Sequence, residues 1–112
     1  MDYIKKCIEA CNDCSSECER CATECLFEKD IEHLKTCILL TRECSVICIA
    51  TAKILAIGAD HFQMLCRACE ELCNACAEEC GKHADMPHCK KCAESCRHAA
   101  DMCRKMIIED NL

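Results

Sequence analysis

Apolar positions recur along this chain at steps of three and four, and cysteine marks most of them. The first run is Cys7, Cys11, Cys14, Cys18, Cys21 and Cys25, and the third is Cys66, Cys69, Cys73, Cys76 and Cys80. Such steps belong to one face of a helix, not to the alternation of a strand. At 100° per residue, Cys7 to Cys25 fall within an arc of about 80°, and Cys66 to Cys80 within a similar one. Cys37, Cys44 and Cys48 span about 40° of a second helix, and Cys89, Cys92, Cys96 and Cys103 about 60° of a fourth. The other faces of the first and third helices carry Glu9, Asn12, Asp13, Glu17, Glu19, Arg20 and Glu24, and Glu70, Glu71, Asn74, Glu78 and Glu79. These side chains need water, so the cysteine stripes must turn to a shared interior.

Helix stops fall between the stripes. Glu28-Lys29-Asp30 breaks the first, and Asp30 is suited to cap the next helix. Gly58 suits the position after the second helix, and Asp60-His61-Phe62-Gln63 reads as a capping box. Gly81 can end the third helix, with Asp85 as N-cap and Pro87 in the first turn of the fourth. An offset of 55 residues superposes the halves: Cys11, Cys14, Cys18, Cys21 and Cys25 fall on Cys66, Cys69, Cys73, Cys76 and Cys80. Cys37, Cys48 and His33 fall on Cys92, Cys103 and His88, while Thr41 meets Cys96 and Cys44 meets Ala99. The expected fold is therefore all-α: one domain over 1–112, with an internal repeat of 1–57 and 58–112. Two tandem αα-hairpins with short connections form an antiparallel up-down-up-down four-helix bundle with a Cys-lined core. The second helix also carries Leu39, Val46, Ala50 and Ile57 opposite its cysteines. Apolar residues on both faces predict self-association through that helix.

Composition sharpens this picture. Of 112 residues 18 are Cys, against 2 Gly, 1 Pro, 1 Tyr, 2 Phe and no Trp. Cysteine above ~8–10% in a short chain usually marks a secreted disulfide scaffold, but such scaffolds are built from loops, which need Gly and Pro. The opening Met1-Asp2-Tyr3-Ile4-Lys5-Lys6-Cys7 has no apolar stretch of a secretory signal, so the expected location is the reducing cytoplasm, where thiols stay free. No apolar run is long enough for a membrane span. The net charge is −6, without a basic patch, which argues against a nucleic-acid partner.

Thiols in ladders point to soft-metal chemistry. Residues at i, i+3 and i, i+4 have Cβ atoms about 5–6 Å apart. With metal–sulfur bonds of roughly 2.3 Å, as for zinc, a linear S–M–S unit spans about 4.6 Å. One helix can thus supply both ligands of a two-coordinate ion, and Cu(I) is the soft ion that thiolates select. Without sharing, two thiols per ion set a ceiling of nine ions; bridging sulfurs raise it. Zinc, alone or in a mixed soft-metal sink, is the alternative cargo, yet it wants four ligands grouped in a tetrahedron, and an even ladder does not partition into fours. The ferredoxin spacing is absent. Cys18-x-x-Cys21 and Cys73-x-x-Cys76 lack the βαβ setting of a dithiol oxidoreductase. One or two buried cysteines are ordinary small hydrophobes; 18 in aligned stripes are not. The prediction is a binding protein and not an enzyme.

Both hairpin turns lie at one end of the expected bundle. His33, His83, Met86 and His88 collect there near Cys25, Cys37, Cys80 and Cys89, and their imidazole and thioether groups suit a metal entrance. The opposite end carries Ile4, Ile54, Leu55, Ile107 and Ile108 as an apolar plug, with His61, Met64, Met102 and Met106 nearby, a set that leaves a second entrance open there. His98 falls outside the sulfur stripe and is expected at the surface.

With these residues placed, the chain resembles the cytosolic branch of the bacterial copper storage proteins. The likeness rests on the two long stripes, on Cys37-x₆-Cys44-x₃-Cys48 and on Glu79-Cys80-Gly81-Lys82-His83…His88-Cys89. It implies a four-helix bundle whose core holds many Cu(I) ions, assembled as a homotetramer, with histidines near one end admitting metal. A copper chaperone or a small-molecule carrier is the implied donor. Thr41 and Ala99 interrupt the ladder.

Overall fold

The computed structural model describes residues 2–58 and 60–111, and side chains within 3–58 and 60–108. Helices α1 (Asp2–Cys25), α2 (Lys35–Ile57), α3 (Phe62–Gly81) and α4 (Pro87–Asn111) account for most of it, with a 3₁₀ turn at Ile31–Leu34 leading into α2. Each helix packs beside two others: α1 beside α2 and α4, and α3 beside α2 and α4. The bundle measures 47 × 20 × 19 Å. This is the antiparallel four-helix architecture expected, and no strand occurs among the described residues.

The helices hold together because each buries one sulfur-rich stripe. Alanines border the stripes: Ala10 and Ala22 on α1, Ala52 on α2, Ala77 on α3, and Ala93, Ala99 and Ala100 on α4 are all buried. Small residues on both sides of the axis let the backbones approach until the thiols touch. The buried serine and threonine hydroxyls find partners. Ser15 and Ser45 share a 2.9 Å hydrogen bond across the α1–α2 interface, a contact worth about 1 kcal/mol. Thr41 and Thr51 are fully buried. They donate to the carbonyls of Ile38 at 2.8 Å and Ile47 at 2.7 Å on their own helix.

The helix ends depart in part from the caps read in the sequence. Gly58 does adopt the left-handed conformation after α2 (φ 78°), with its N–H bonded to the Leu55 carbonyl. Asp30 makes no side-chain cap. Its carboxylate is taken instead by His33 Nδ1 at 2.6 Å, in an exposed pair. The proposed capping box fails as well: His61 occupies the N-cap of α3 and makes no side-chain cap bond. Asp85 is displaced from the cap because Pro87 itself opens α4, and the carbonyl of Met86 accepts the N–H groups of Cys89 and Lys90. At Gly81 a side chain would press on Arg97 Nη2, 3.2 Å from an ideal Cβ.

The apolar plug also differs from expectation. Leu55, Met102 and Met106 are buried there, with Phe62 and Ile107 packed against the core. Ile4 and Ile108 stay partly exposed, at 36% and 46% of their surface. Unbranched, flexible methionine fills irregular gaps in a core better than β-branched isoleucine does. His61 and Met64 at this end, and His98 on α4, are exposed.

Because each of the four helices already buries a continuous stripe of cysteine and alanine side chains against its neighbours, the metal-free, reduced protein is expected to be strongly helical by circular dichroism. A random-coil spectrum that becomes helical only on metal addition would show a metal-nucleated fold instead.

Candidate metal centre

All 18 cysteines are free and have no exposed surface. Each comes from a stripe position, so the 3.6-residue period of the helix converts a sequence spacing into a column of sulfurs. Six i, i+4 pairs show this directly: Cys14–Cys18, Cys21–Cys25, Cys44–Cys48, Cys69–Cys73, Cys76–Cys80 and Cys92–Cys96 have Sγ atoms 3.8–4.0 Å apart.

Contacts between helices join the columns. A continuous path runs from Cys7 to Cys103 (3.8 Å), Cys11 (3.9 Å), Cys69 (3.9 Å), Cys48 (3.7 Å) and Cys73 (3.6 Å). It continues to Cys44 (3.5 Å), Cys14 (3.8 Å), Cys96 (3.6 Å), Cys18 (3.7 Å) and Cys92 (3.7 Å). Toward the turns, Cys89 lies 3.7 Å from Cys21 and 4.0 Å from Cys25, and Cys37 lies 3.4 Å from Cys80. Cys66 joins Cys7 and Cys103 in a group of three at the far end.

These separations match bridged thiolate coordination. A trigonal site with roughly 2.3 Å bonds needs sulfurs about 4.0 Å apart, and a linear site about 4.6 Å. The observed 3.4–4.0 Å contacts reach either value with small side-chain rotations. The sulfurs gather in overlapping fours, so the ladder does not partition into separate sets of four, as the sequence predicts. Cys14, Cys18, Cys44 and Cys96 form one such group, Cys14, Cys44, Cys48 and Cys73 another, and Cys18, Cys76, Cys92 and Cys96 a third. The groups share members. Filling one with a private tetrahedral ion strips ligands from its neighbours, so zinc uses this lattice poorly while an ion content with two or three shared sulfurs uses all of it.

The thiols tune one another. Hydrogen bonds from Cys103 and Cys48 lower Cys11 to about 6. Partners divide the roles: Cys18 holds Cys14 below its ordinary value, and Cys14 in turn raises Cys18. Nearer the turns, burial and then the neighbouring Cys37 push Cys25 up to about 11.

The four non-cysteine candidates are spread over a gradient of burial at the turn end. His88 is the only one aimed into the sulfur core. Its Nδ1 lies 3.5 Å from Cys89, 3.6 Å from Cys21 and 3.9 Å from Cys25. His83 is mostly buried, and its Nε2 meets Glu79 at 3.2 Å. Met86 packs partly buried against the core. His33 does not reach the sulfurs: its side chain is 79% exposed, and the Asp30 carboxylate raises its pKa. His33, His83 and Met86 line a common cavity of about 640 Å³ with Phe27, Glu28 and Asp85. Glu28 lines this mouth and Glu79 of α3 holds His83 beside it; by sequence, acidic residues at such positions read only as solvated surface. Thr41 and Ala99 sit in the core as the ladder gaps expected of them.

Comparison with known proteins gives a consistent result. Residues 1–108 match the family model described as copper storage protein. An uncharacterized cysteine-rich protein of Bacillus subtilis (strain 168), YhjQ, is 43% identical over 104 residues, covering 93% of this chain and 95% of that one. A Cu(I)-bound copper storage protein designated BsCsp3 superposes with a TM-score of 0.88 at 43% identity, over 94% of this chain and 98% of the other. A cytosolic copper storage protein from Streptomyces lividans, solved during copper loading with five coppers, superposes at 0.92 and 36% identity, over 96% and 93% of the two chains.

Complete burial makes a chemical prediction. In the folded, reduced protein an alkylating reagent should modify the thiols at least about 100-fold more slowly than in denaturant, where all react. Mass spectrometry of a quenched time course would read this. Rapid labelling of many cysteines under native conditions would contradict the enclosed core.

Proposed function

The chain belongs to the copper storage protein family, and from that premise we propose that it stores Cu(I) as many ions bound by the thiolates of its core. The observation that carries the reading is the path of touching, fully buried sulfurs that crosses all four helices. A catalytic thiol pair would need access and a distinct environment. Here all 18 sulfurs are enclosed alike, which fits holding and not turnover. All 18 cysteines serve as ligands in this reading, and His88 adds one imidazole nitrogen at the turn end. His83, Met86 and the outlying His33 form the approach, handing ions inward along increasing burial. Transfer there can come from a copper chaperone or a small-molecule carrier that docks at the turn-end cavity.

The location that suits such a protein is the cytoplasm, where free thiols persist; no described helix is long and apolar enough to cross a membrane. The exposed face of α2, with Leu39, Val46 and Ile57 each more than half exposed, supports assembly with further copies of the chain, as a tetramer.

Anaerobic titration of the reduced protein with Cu(I) against a competing chelator tests storage. Saturation should approach or exceed nine ions per chain, with protons released as neutral thiols become thiolates, so that loading weakens in acid. Saturation at one or two ions would reject the reading. Val46→Glu should shift the assembled protein to smaller species by light scattering while leaving Cu(I) capacity intact; an unchanged mass would remove α2 as the interface.

A further inference from the structure

The geometry points to Glu28 as a positioning residue that fixes the His88 ring for metal, an inference resting on the storage reading above. Glu28 lies in the turn after α1 and His88 in the first turn of α4, 60 residues apart in sequence. Their contact is therefore made only by the fold. His88 Nε2 is 3.1 Å from Glu28 Oε2, with side chains 10% and 40% exposed. A neutral imidazole has one donor and one acceptor nitrogen. A carboxylate only accepts, so Nε2 must carry the proton. The lone pair is then on Nδ1, the atom that faces Cys21, Cys25 and Cys89. An outer hydrogen bond of this kind fixes ring orientation and raises ligand basicity.

The internal repeat supplies an independent argument. At the offset of 55 residues, His33 corresponds to His88 and Asp30 to Asp85. The two histidines nevertheless take opposite orientations. His33 turns out to Asp30 through Nδ1, whereas His88 turns inward. The correspondence shows why. Position 28 in the first half is Glu, and its counterpart in the second half is His83. The acidic turn residue thus faces the α4 histidine, while the first-half histidine has no acidic counterpart across the mouth. Leu34, the counterpart of Cys89, also leaves His33 without a sulfur to meet. One Glu and one Cys thus convert one of two equivalent histidines into an inward ligand.

The test compares wild type, Glu28→Ala, Glu28→Gln, His88→Ala and the Glu28→Ala/His88→Ala double variant, with circular dichroism and saturating Cu(I) content reporting an intact bundle. In the metal-free state, ¹⁵N NMR should show a His88 Nε2–H protected from exchange in wild type and Glu28→Gln but not in Glu28→Ala. Chelator competition over the first Cu(I) equivalents should show Glu28→Ala weakened by about 10-fold, largely restored in Glu28→Gln, whose amide oxygen still accepts. The double variant should be no weaker than His88→Ala alone. Wild-type affinity in Glu28→Ala, or a further loss in the His88→Ala background, would overturn the assignment. Failure of the wild type to bind copper at all would instead reject storage itself.

Discussion

Sulfur against sulfur along the bundle axis takes the place that branched aliphatic and aromatic side chains hold in ordinary cores. Helices α1 and α3 have no other apolar face, so the thiols must meet if the helices are to fold at all. Cysteine here is both the packing residue and the ligand. The alanines beside each stripe bring the helices close enough for thiols of neighbouring helices to lie within 4.0 Å. The same closeness that excludes water sets the spacing at which one soft ion can bridge two or three sulfurs. Stability and capacity are consequences of one contact.

That coupling explains why the binding lattice is shared and not partitioned. In a structural zinc site four ligands close around one ion and exclude others. Here Cys14 and Cys44 belong to two groups of four at once, as do Cys18 and Cys96. A ligand set with overlapping membership favours ions of low coordination number and lets occupancy rise stepwise. Thiols that burial holds neutral, as at Cys25, avoid the cost of a buried charge before metal arrives and become thiolates as an ion binds.

The mouth follows a different rule. Within the core the two halves repeat each other closely, but at the turns they diverge, and the divergence carries the chemistry. His88-Cys89 stands where the first half has His33-Leu34. Leu34 packs as an ordinary buried residue, whereas Cys89 joins Cys21 and Cys25 around an imidazole nitrogen. A histidine paired to Glu79, a half-buried methionine and an exposed histidine surround this point. Burial increases from His33 through His83 to His88, the order in which a cation arriving from water would meet them.

The sequence by itself determined the four helices, their order, the tandem repeat and the inward face of every cysteine. Helical periodicity leaves no second way to bury stripes flanked by Glu and Asp. It also placed the turn-end histidines at one mouth, because short connections force antiparallel neighbours. The tertiary structure alone decided the caps at Asp30, Asp60 and Asp85, where local hydrogen-bond competition and the onset of α4 at Pro87 outweighed propensity. It decided that Met102 and Met106, and not Ile4 and Ile108, close the far end. It decided too which sulfurs touch across helices, and which of two equivalent histidines faces them. Those outcomes depend on the rotation of one helix against another and on pairs such as Glu28 and His88. A periodic pattern fixes the face a helix buries, but not the partner that each side chain meets there.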